Sequence, residues 1–218
     1  MIYVLGLLAK AGHGKTTAAR HLTEVFDAEI RPLADPLKRA ARNVFGFSDA
    51  QLWGSQADKD ATDPRYGFSA RWLLQRLGNE GLREEFGEDI HQRALLHGLR
   101  RAEAARPAGA PPRLYVVDDV RFPDDARFIA SGGAEYTGAV LRLVSTDAPT
   151  PARADSGRHA SETAIDLVRP EDVAATVISS RAQGLAHLHA SVVAALRGPE
   201  FDSIRAALHP PAGTLTEA

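Results

Sequence analysis

An α/β domain on a mainly parallel sheet is the fold class this sequence predicts. Three observations carry the prediction: fully apolar runs of strand length at Ile2–Leu8 and Leu114–Val117, helical spacing after each, and Pro- or Gly-bearing breaks between them. Strands covered by helices on both faces read as continuous hydrophobic runs, because neither face meets water. The 218 residues, 44% hydrophobic and 25% charged, can bury one sizeable core and are too few for two full catalytic domains.

In chain order, Ile2–Leu8 reads as a buried strand, followed by a glycine-bearing turn and a helix from Lys15 to about Phe26. Glu29–Leu33 is a weaker strand. Pro36 opens a helix that runs to about Phe45, with Asp35 as its N-cap. Residues 48–68 read as a polar loop with one short helical turn near Trp53. Helical spacing returns over Ser69–Phe86 and Asp89–Ala105, interrupted near Gly87, and the Pro/Ala/Gly stretch from Arg106 to Pro112 ends it. Leu114–Val117 then leads into Asp118 and Asp119. Pro123–Ile129 reads as a helix, Ala139–Val144 and Val173–Ile178 as strands, and Leu185–Leu196 as a last helix. Residues 145–163, rich in Pro, Asp and Arg, read as a flap, and the tail after Gly198 as frayed or peripheral.

Composition narrows the function classes. The chain has no cysteine, which excludes disulfides, thiolate zinc ligation and a cysteine nucleophile. A formal charge of −2 and 6% aromatic residues argue against a nucleic-acid binder, which needs a clearly basic face. No stretch approaches the roughly 20 apolar residues of a membrane span. The first apolar run meets Lys10 at once, as a strand does and a signal peptide does not. A cytoplasmic location is the expectation, and a homodimer is left open. Lys10, Lys15, Lys38 and Lys59 are the only lysines, so most positive charge is arginine; two of the four lysines share one short loop.

That loop is Ala9-Lys10-Ala11-Gly12-His13-Gly14-Lys15-Thr16, a Walker A pattern with Ala9 in place of its first glycine. Such a loop wraps phosphate with backbone N–H groups, so Gly12 and Gly14 permit close approach. Lys15 reaches the β- and γ-phosphates, and the Thr16 hydroxyl can ligate Mg²⁺. The donor-binding set is Ala11, Gly12, His13, Gly14, Lys15, Thr16 and Thr17. Ala9 suits its place if its φ stays negative. A plain strand-to-helix turn would explain the glycines, but not the second apolar strand ending in aspartate. Asp118 or Asp119 would complete a Mg²⁺ site; helix capping near Pro123 is the other reading.

Val117-Asp118-Asp119-Val120-Arg121-Phe122-Pro123-Asp124-Asp125-Ala126 resembles the "DVRFPNEA" segment of phage-type deoxynucleoside monophosphate kinases. Leu33-Ala34-Asp35-Pro36-Leu37-Lys38 resembles that family's "FADPLK", Arg71 to Arg83 its "R-x-x-LQ-x-x-GTE-x-x-R" helix, and His159-Ala160-Ser161-Glu162 its late "H-x-SE" motif. The matches run in order from Met1 to about Leu196. Ala9, Asn79 and His91 depart from the pattern.

The resemblance implies a P-loop kinase fold over 1–198: a five-stranded, mainly parallel sheet flanked by helices, an acceptor-binding helical region at about 46–105, a lid at about 145–163, and a tail over 199–218. It also implies ATP and a deoxynucleoside monophosphate as partners, with Mg²⁺. The catalytic set is then Lys15, Arg121 and Asp119, with Asp118 second for the metal. The acceptor set is Asp35, Lys38, Arg71, Gln75, Glu80 and Arg83. Arg71 offers bidentate bonds to a phosphate, and Gln75 both donor and acceptor atoms to a base edge. Each has a structural alternative: Arg121 paired with Asp124 or Asp125, Lys38 paired with Asp35, Gln75 and Glu80 on a solvated helix face. Trp72 and Phe68 would stack on a base or belong to the core. Arg153, Arg158 and His159 would close over the phosphates or remain solvated. Rival activities are another small-molecule phosphate kinase, resembling phosphomevalonate or dephospho-coenzyme A kinases, and an ATPase that switches a partner.

Overall fold

A computed structural model describes residues 1–147 and 163–210. The chain divides into two compact units, one formed by Met1–Pro32 with the chain from Leu99 onward, the other by Leu33–Gly98.

The first unit is built on five parallel strands: β1 (Ile2–Leu8), β2 (Glu29–Ile30), β5 (Leu114–Val120), β6 (Tyr136–Ser145) and β7 (Ala175–Ser179), in the order β2-β5-β1-β6-β7. β1 is central and almost wholly buried, as its unbroken apolar run requires. On one face, Leu5, Leu7, Leu114, Val116, Leu141 and Leu143 pack against helix α1 (Lys15–Phe26) and helix α9 (Gly184–Leu196). α1 contributes Ala18, Ala19, Leu22 and Phe26, spaced for one helix face. His21 of α1 and His189 of α9 stack with ring centroids 3.9 Å apart. Helix α8 (Pro123–Ser131) covers the other face through Ala126 and Ile129. The capping carboxylate at its start belongs to Asp125, whose Oδ2 accepts the Phe122 N–H at 3.3 Å.

The tail expectation fails. Pro199–Ala207 forms a 3₁₀ helix whose Phe201, Ile204 and Ala207 are fully buried in the α1-side core. Three residues per turn put positions 201, 204 and 207 on one line. A nonpolar triplet at that spacing is therefore an anchoring stripe and not a frayed end.

The second unit holds helices α2 (Asp35–Phe45), α3 (Asp49–Trp53), α4 (Gln56–Asp60) and α5 (Ala70–Arg76), with a short hairpin of β3 (Thr62–Asp63) and β4 (Phe68–Ser69). Residues 48–68 are thus not a loop. Ser48 and Ser55 each accept the backbone N–H three residues on, and Gln51 and Asp58 return the bond to the serine N–H, so two capping boxes start two short helices. Asp35 is the first helical residue of α2, after Ala34 as N-cap, with Pro36 behind it. After α5 the backbone widens into a π-helix over Leu77–Arg83, then narrows again in α6 (Glu84–Phe86). Helix α7 (Ile90–Ala104) follows and continues past the unit boundary. The expected helix 69–86 is therefore continuous, but its hydrogen bonding changes register around Gly78 and Gly81. A small core of Ala41, Phe47, Leu52, Ala70 and Leu73 holds the unit.

Candidate active site

The phosphate loop leaves the end of β1 and ends in the first turn of α1. Gly12 has φ 84° and Gly14 φ 87°, left-handed values that a side chain resists. A Cβ on Gly14 would also meet Leu188 Cδ2 at 2.9 Å, so α9 closes the loop from outside. Ala9 is buried and keeps a negative φ: Asp27 is the sole non-glycine residue with a positive one among the described residues. Glycine is needed at two places in this loop and not at a third. The Lys15 ammonium donates to the carbonyls of Ala9 and, at 3.3 Å, Lys10, which holds it over the loop. Lys10 itself pairs with Asp166 at 2.7 Å. Thr16 is exposed and Thr17 half-buried in the first turn of α1, whose N-terminal N–H groups and dipole favour an anion.

β5 lies beside β1, with Leu8 opposite Val120, and its register slips between the partners of Gly6 and Leu8. Val116 packs on the α1 face, while Val120 would lie 3.2 Å from a Cβ on Gly6, beside Ile129 of α8. Alternation along the strand therefore breaks between 116 and 120, where Asp118 and Asp119 stand half-buried. A register irregularity of this kind re-aims side chains at strand ends and is common next to active sites. With Asp125 capping α8, neither aspartate is needed as that helix's cap. Arg121 follows, half-buried, and Asp124 is paired with Arg127 at 3.0 Å.

The oxygen-bearing side chains that could serve a metal are the Thr16 hydroxyl, at the start of α1, and the carboxylates of Asp118 and Asp119, at the end of the strand beside β1. No group of three or more His, Cys, Asp or Glu side chains that could hold a metal occurs among the described residues. Oxygen donors of this kind would suit Mg²⁺, which takes one or two carboxylates and draws its other ligands from phosphate and water.

In the second unit most of the expected acceptor residues are held by side chains outside that set. Arg71 donates to Asp60 and to the amide oxygen of Gln56 on α4. Glu80 accepts from Arg76 at 2.5 Å. Arg83 is mostly buried, 3.6 Å from Glu88. Asp35 accepts the Trp53 indole N–H at 3.1 Å and the Arg39 Nε–H at 2.6 Å. The expected Asp35–Lys38 pair is not what forms. Arg39, four residues on, lies over the same face, and Lys38 instead sits 5.9 Å from the Trp53 ring centre. Gln75 is half-buried on α5. Trp72 is exposed but touches Phe68 at 5.0 Å and the Arg76 guanidinium at 5.4 Å, as part of an aromatic series through Phe45, Phe47 and Tyr66. Gln75 lies on α5, just before the π turn that carries Glu80 and Arg83.

Sequence reasoning missed Gln56 and Asp60, which orient Arg71, and Ser145, which binds His13. The first two were signalled by the Ser55-x-x-Asp58 capping pattern that starts α4; the last had no local signal. Arg153, Arg158, His159 and the "H-x-SE" likeness lie outside the described residues. No described helix is long and apolar enough to cross a membrane.

No family model matches the chain. Two solved structures resemble it loosely: a sugar kinase from Janibacter sp. HTCC2649, with TM-score 0.41, 14% identity and coverage of 96% of this chain and 98% of that one, and the shikimate kinase of Acinetobacter baumannii in complex with shikimate, with TM-score 0.41, 17% identity and coverage of 90% and 93%. The sequence comparison is closer: a protein of Acanthamoeba polyphaga mimivirus named "Putative deoxynucleotide monophosphate kinase" is 31% identical over 174 residues, 78% of this chain and 86% of that protein. By that likeness over most of both chains, this protein belongs to the deoxynucleotide monophosphate kinase family and is a small-molecule phosphotransferase.

Proposed function

We propose that the chain transfers the terminal phosphoryl group of ATP to a deoxynucleoside monophosphate, giving ADP and the deoxynucleoside diphosphate. The observation that carries this is the loop of two left-handed glycines at the head of α1, beside the irregular, aspartate-bearing end of β5. An acceptor phosphate oxygen forms the new P–O bond as the bond from the γ-phosphorus to the β–γ bridging oxygen breaks. The acceptor is already anionic, so no strong general base is required; positioning and charge stabilisation do the work.

Backbone N–H groups from Ala11 to Thr17 would hold the donor phosphates, with Lys15 on the β- and γ-oxygens. Thr16 and Asp119 or Asp118 would hold Mg²⁺, which supplies charge neutralisation on the phosphates. Arg121 would meet the charge that spreads over the transferred group. On the acceptor side, Arg71 would take the monophosphate, and Gln75, Glu80 and Arg83, with Asp35 and Lys38, the rest of the nucleotide. The proposed lid residues Arg153, Arg158 and His159 would exclude water.

The test is a panel of common and modified deoxynucleoside monophosphates with ATP and Mg²⁺ in a coupled assay. ADP release that depends on one or a few of them is expected. Equal ATP consumption with and without acceptor would leave an ATPase, and turnover of a non-nucleotide phosphate alone would favour another phosphate kinase.

A further inference from the structure

His13 lies between the two left-handed glycines of the phosphate loop, and its ring makes a contact that the donor reading does not use. Its Nδ1 is 3.1 Å from the backbone N of Ser145, the last residue of β6 and 132 positions away. A backbone N–H can only donate, so Nδ1 carries the lone pair and Nε2 the hydrogen. The anchor is firm. Ser145 pairs with Ser179 of β7, and the next N–H, from Thr146, donates to the Ser179 carbonyl at 3.0 Å. The Ser145 hydroxyl donates to Asp147 at 2.9 Å, and the same Asp147 oxygen accepts the Arg181 N–H at 2.9 Å. That backbone N–H, then the Ser145 hydroxyl, hold the Asp147 carboxyl below the usual carboxylate range, with the Arg181 charge adding to the effect.

The loop needs such an anchor. Glycines on either side of His13 leave the backbone more freedom than any other residue would, and the turn's own closing bond, His13 N–H to Lys10 carbonyl, is long at 3.3 Å. A phosphate cradle made of N–H groups works only if those groups already point the right way.

We infer that His13 is a positioning residue: its Nδ1 lone pair ties the phosphate loop to the end of β6 and so sets the N–H groups that receive the donor phosphate. The inference rests on the donor reading above, and it acts through the backbone without requiring the imidazole to touch ATP. It predicts a requirement for an acceptor atom at the Nδ1 position. His13→Asn supplies one, because Oδ1 falls near the place of Nδ1, and His13→Ala does not.

The experiment uses the full chain, labelled with ¹⁵N, as wild type, His13→Ala and His13→Asn, with amide exchange at Ser145 and the Kd for ATP measured for each. In the alanine variant Ser145 should exchange faster and ATP should bind about tenfold or more weakly, the cost of one unpaired, shielded donor; the asparagine variant should recover most of both. Unchanged Ser145 exchange in His13→Ala would overturn the tie, and so would an asparagine variant as impaired as alanine. Faster exchange with unchanged ATP affinity would overturn its role in positioning. If the wild type fails to bind ATP, the donor reading falls and takes the positioning role with it, while the exchange data separately report whether the hydrogen bond exists.

Discussion

The two units solve the problem of holding polar groups in place by different means. In the sheet unit, the groups expected to receive phosphate are mainly backbone N–H, held between a buried strand, a helix start and the His13–Ser145 hydrogen bond. In the helical unit the groups expected to meet the acceptor are side chains, each fixed by a neighbouring side chain: Arg71 by Asp60 and Gln56, Glu80 by Arg76, Asp35 by Arg39 and Trp53. A backbone site is ready at little cost. A side-chain site must give up a partner for every substrate contact it makes, and exposed pairs give way readily because each is worth little in water. Under the proposed function, the contrast suits a donor common to many kinases bound by backbone and an acceptor discriminated by side chains.

Four measurements would break or sharpen that contrast, from the largest effect to the smallest. Phe201→Ala removes a fully buried ring from the sheet unit and should cost about 3–5 kcal/mol. For a chain of this size that lowers Tm by roughly 6–20 °C, readable by calorimetry; a drop under a few degrees would show that the 3₁₀ segment is not part of the core. Lys15→Ala should lower kcat/KM by about a hundred- to thousand-fold with little change in Tm. Full activity in that variant would remove the phosphate-loop assignment.

Arg71→Ala should raise KM for the monophosphate by roughly ten- to a hundredfold and leave KM for ATP within about twofold, since a charge-assisted bond is lost on one side only. An equal loss on both would mean the acceptor is held elsewhere. The smallest effect is confined to acid. Asp63 is buried and holds two side chains, Arg65 and Gln51, which keep its carboxyl well below the usual range. Its folded-state value lies under the unfolded one of about 3.9, so its contribution is complete above that pH and is lost as pH falls further. Thermal melts from pH 5 to pH 2 should show a steeper acid loss in wild type than in Asp63→Asn.

How legible the molecule was in its sequence followed the same division. The apolar runs of β1 and β5 and the glycine loop were readable, because burial on both faces and positive φ leave residue types little choice. β5 extended through Asp118 and Asp119 to Val120, since a strand can carry its carboxylates at the solvent end. The π turn was not readable: no hydrophobic period marks an i to i+5 bond, and Gly78 and Gly81 only permit it. The two capping boxes at Ser48 and Ser55 were legible in principle, yet helices of five residues lack the repeated apolar face that periodicity detects. The Arg71 partners and the His13–Ser145 tie were out of reach, being tertiary contacts between residues 11 to 132 positions apart.

The 3₁₀ segment has one further consequence, for the order of events on the ribosome. Phe201, Ile204 and Ala207 complete the apolar face to which Leu5 and Leu7 belong, so β1 waits for almost two hundred further residues to be synthesised before its face is closed. Domains generally fold as units during synthesis. Here the sheet unit spans both sides of the helical one in sequence, and the helical unit emerges whole while β1 still lacks β5, β6 and its last covering turn. The helical unit is therefore positioned to fold before the sheet unit, and the phosphate loop, although it precedes the helical unit in sequence, to acquire its final form after it.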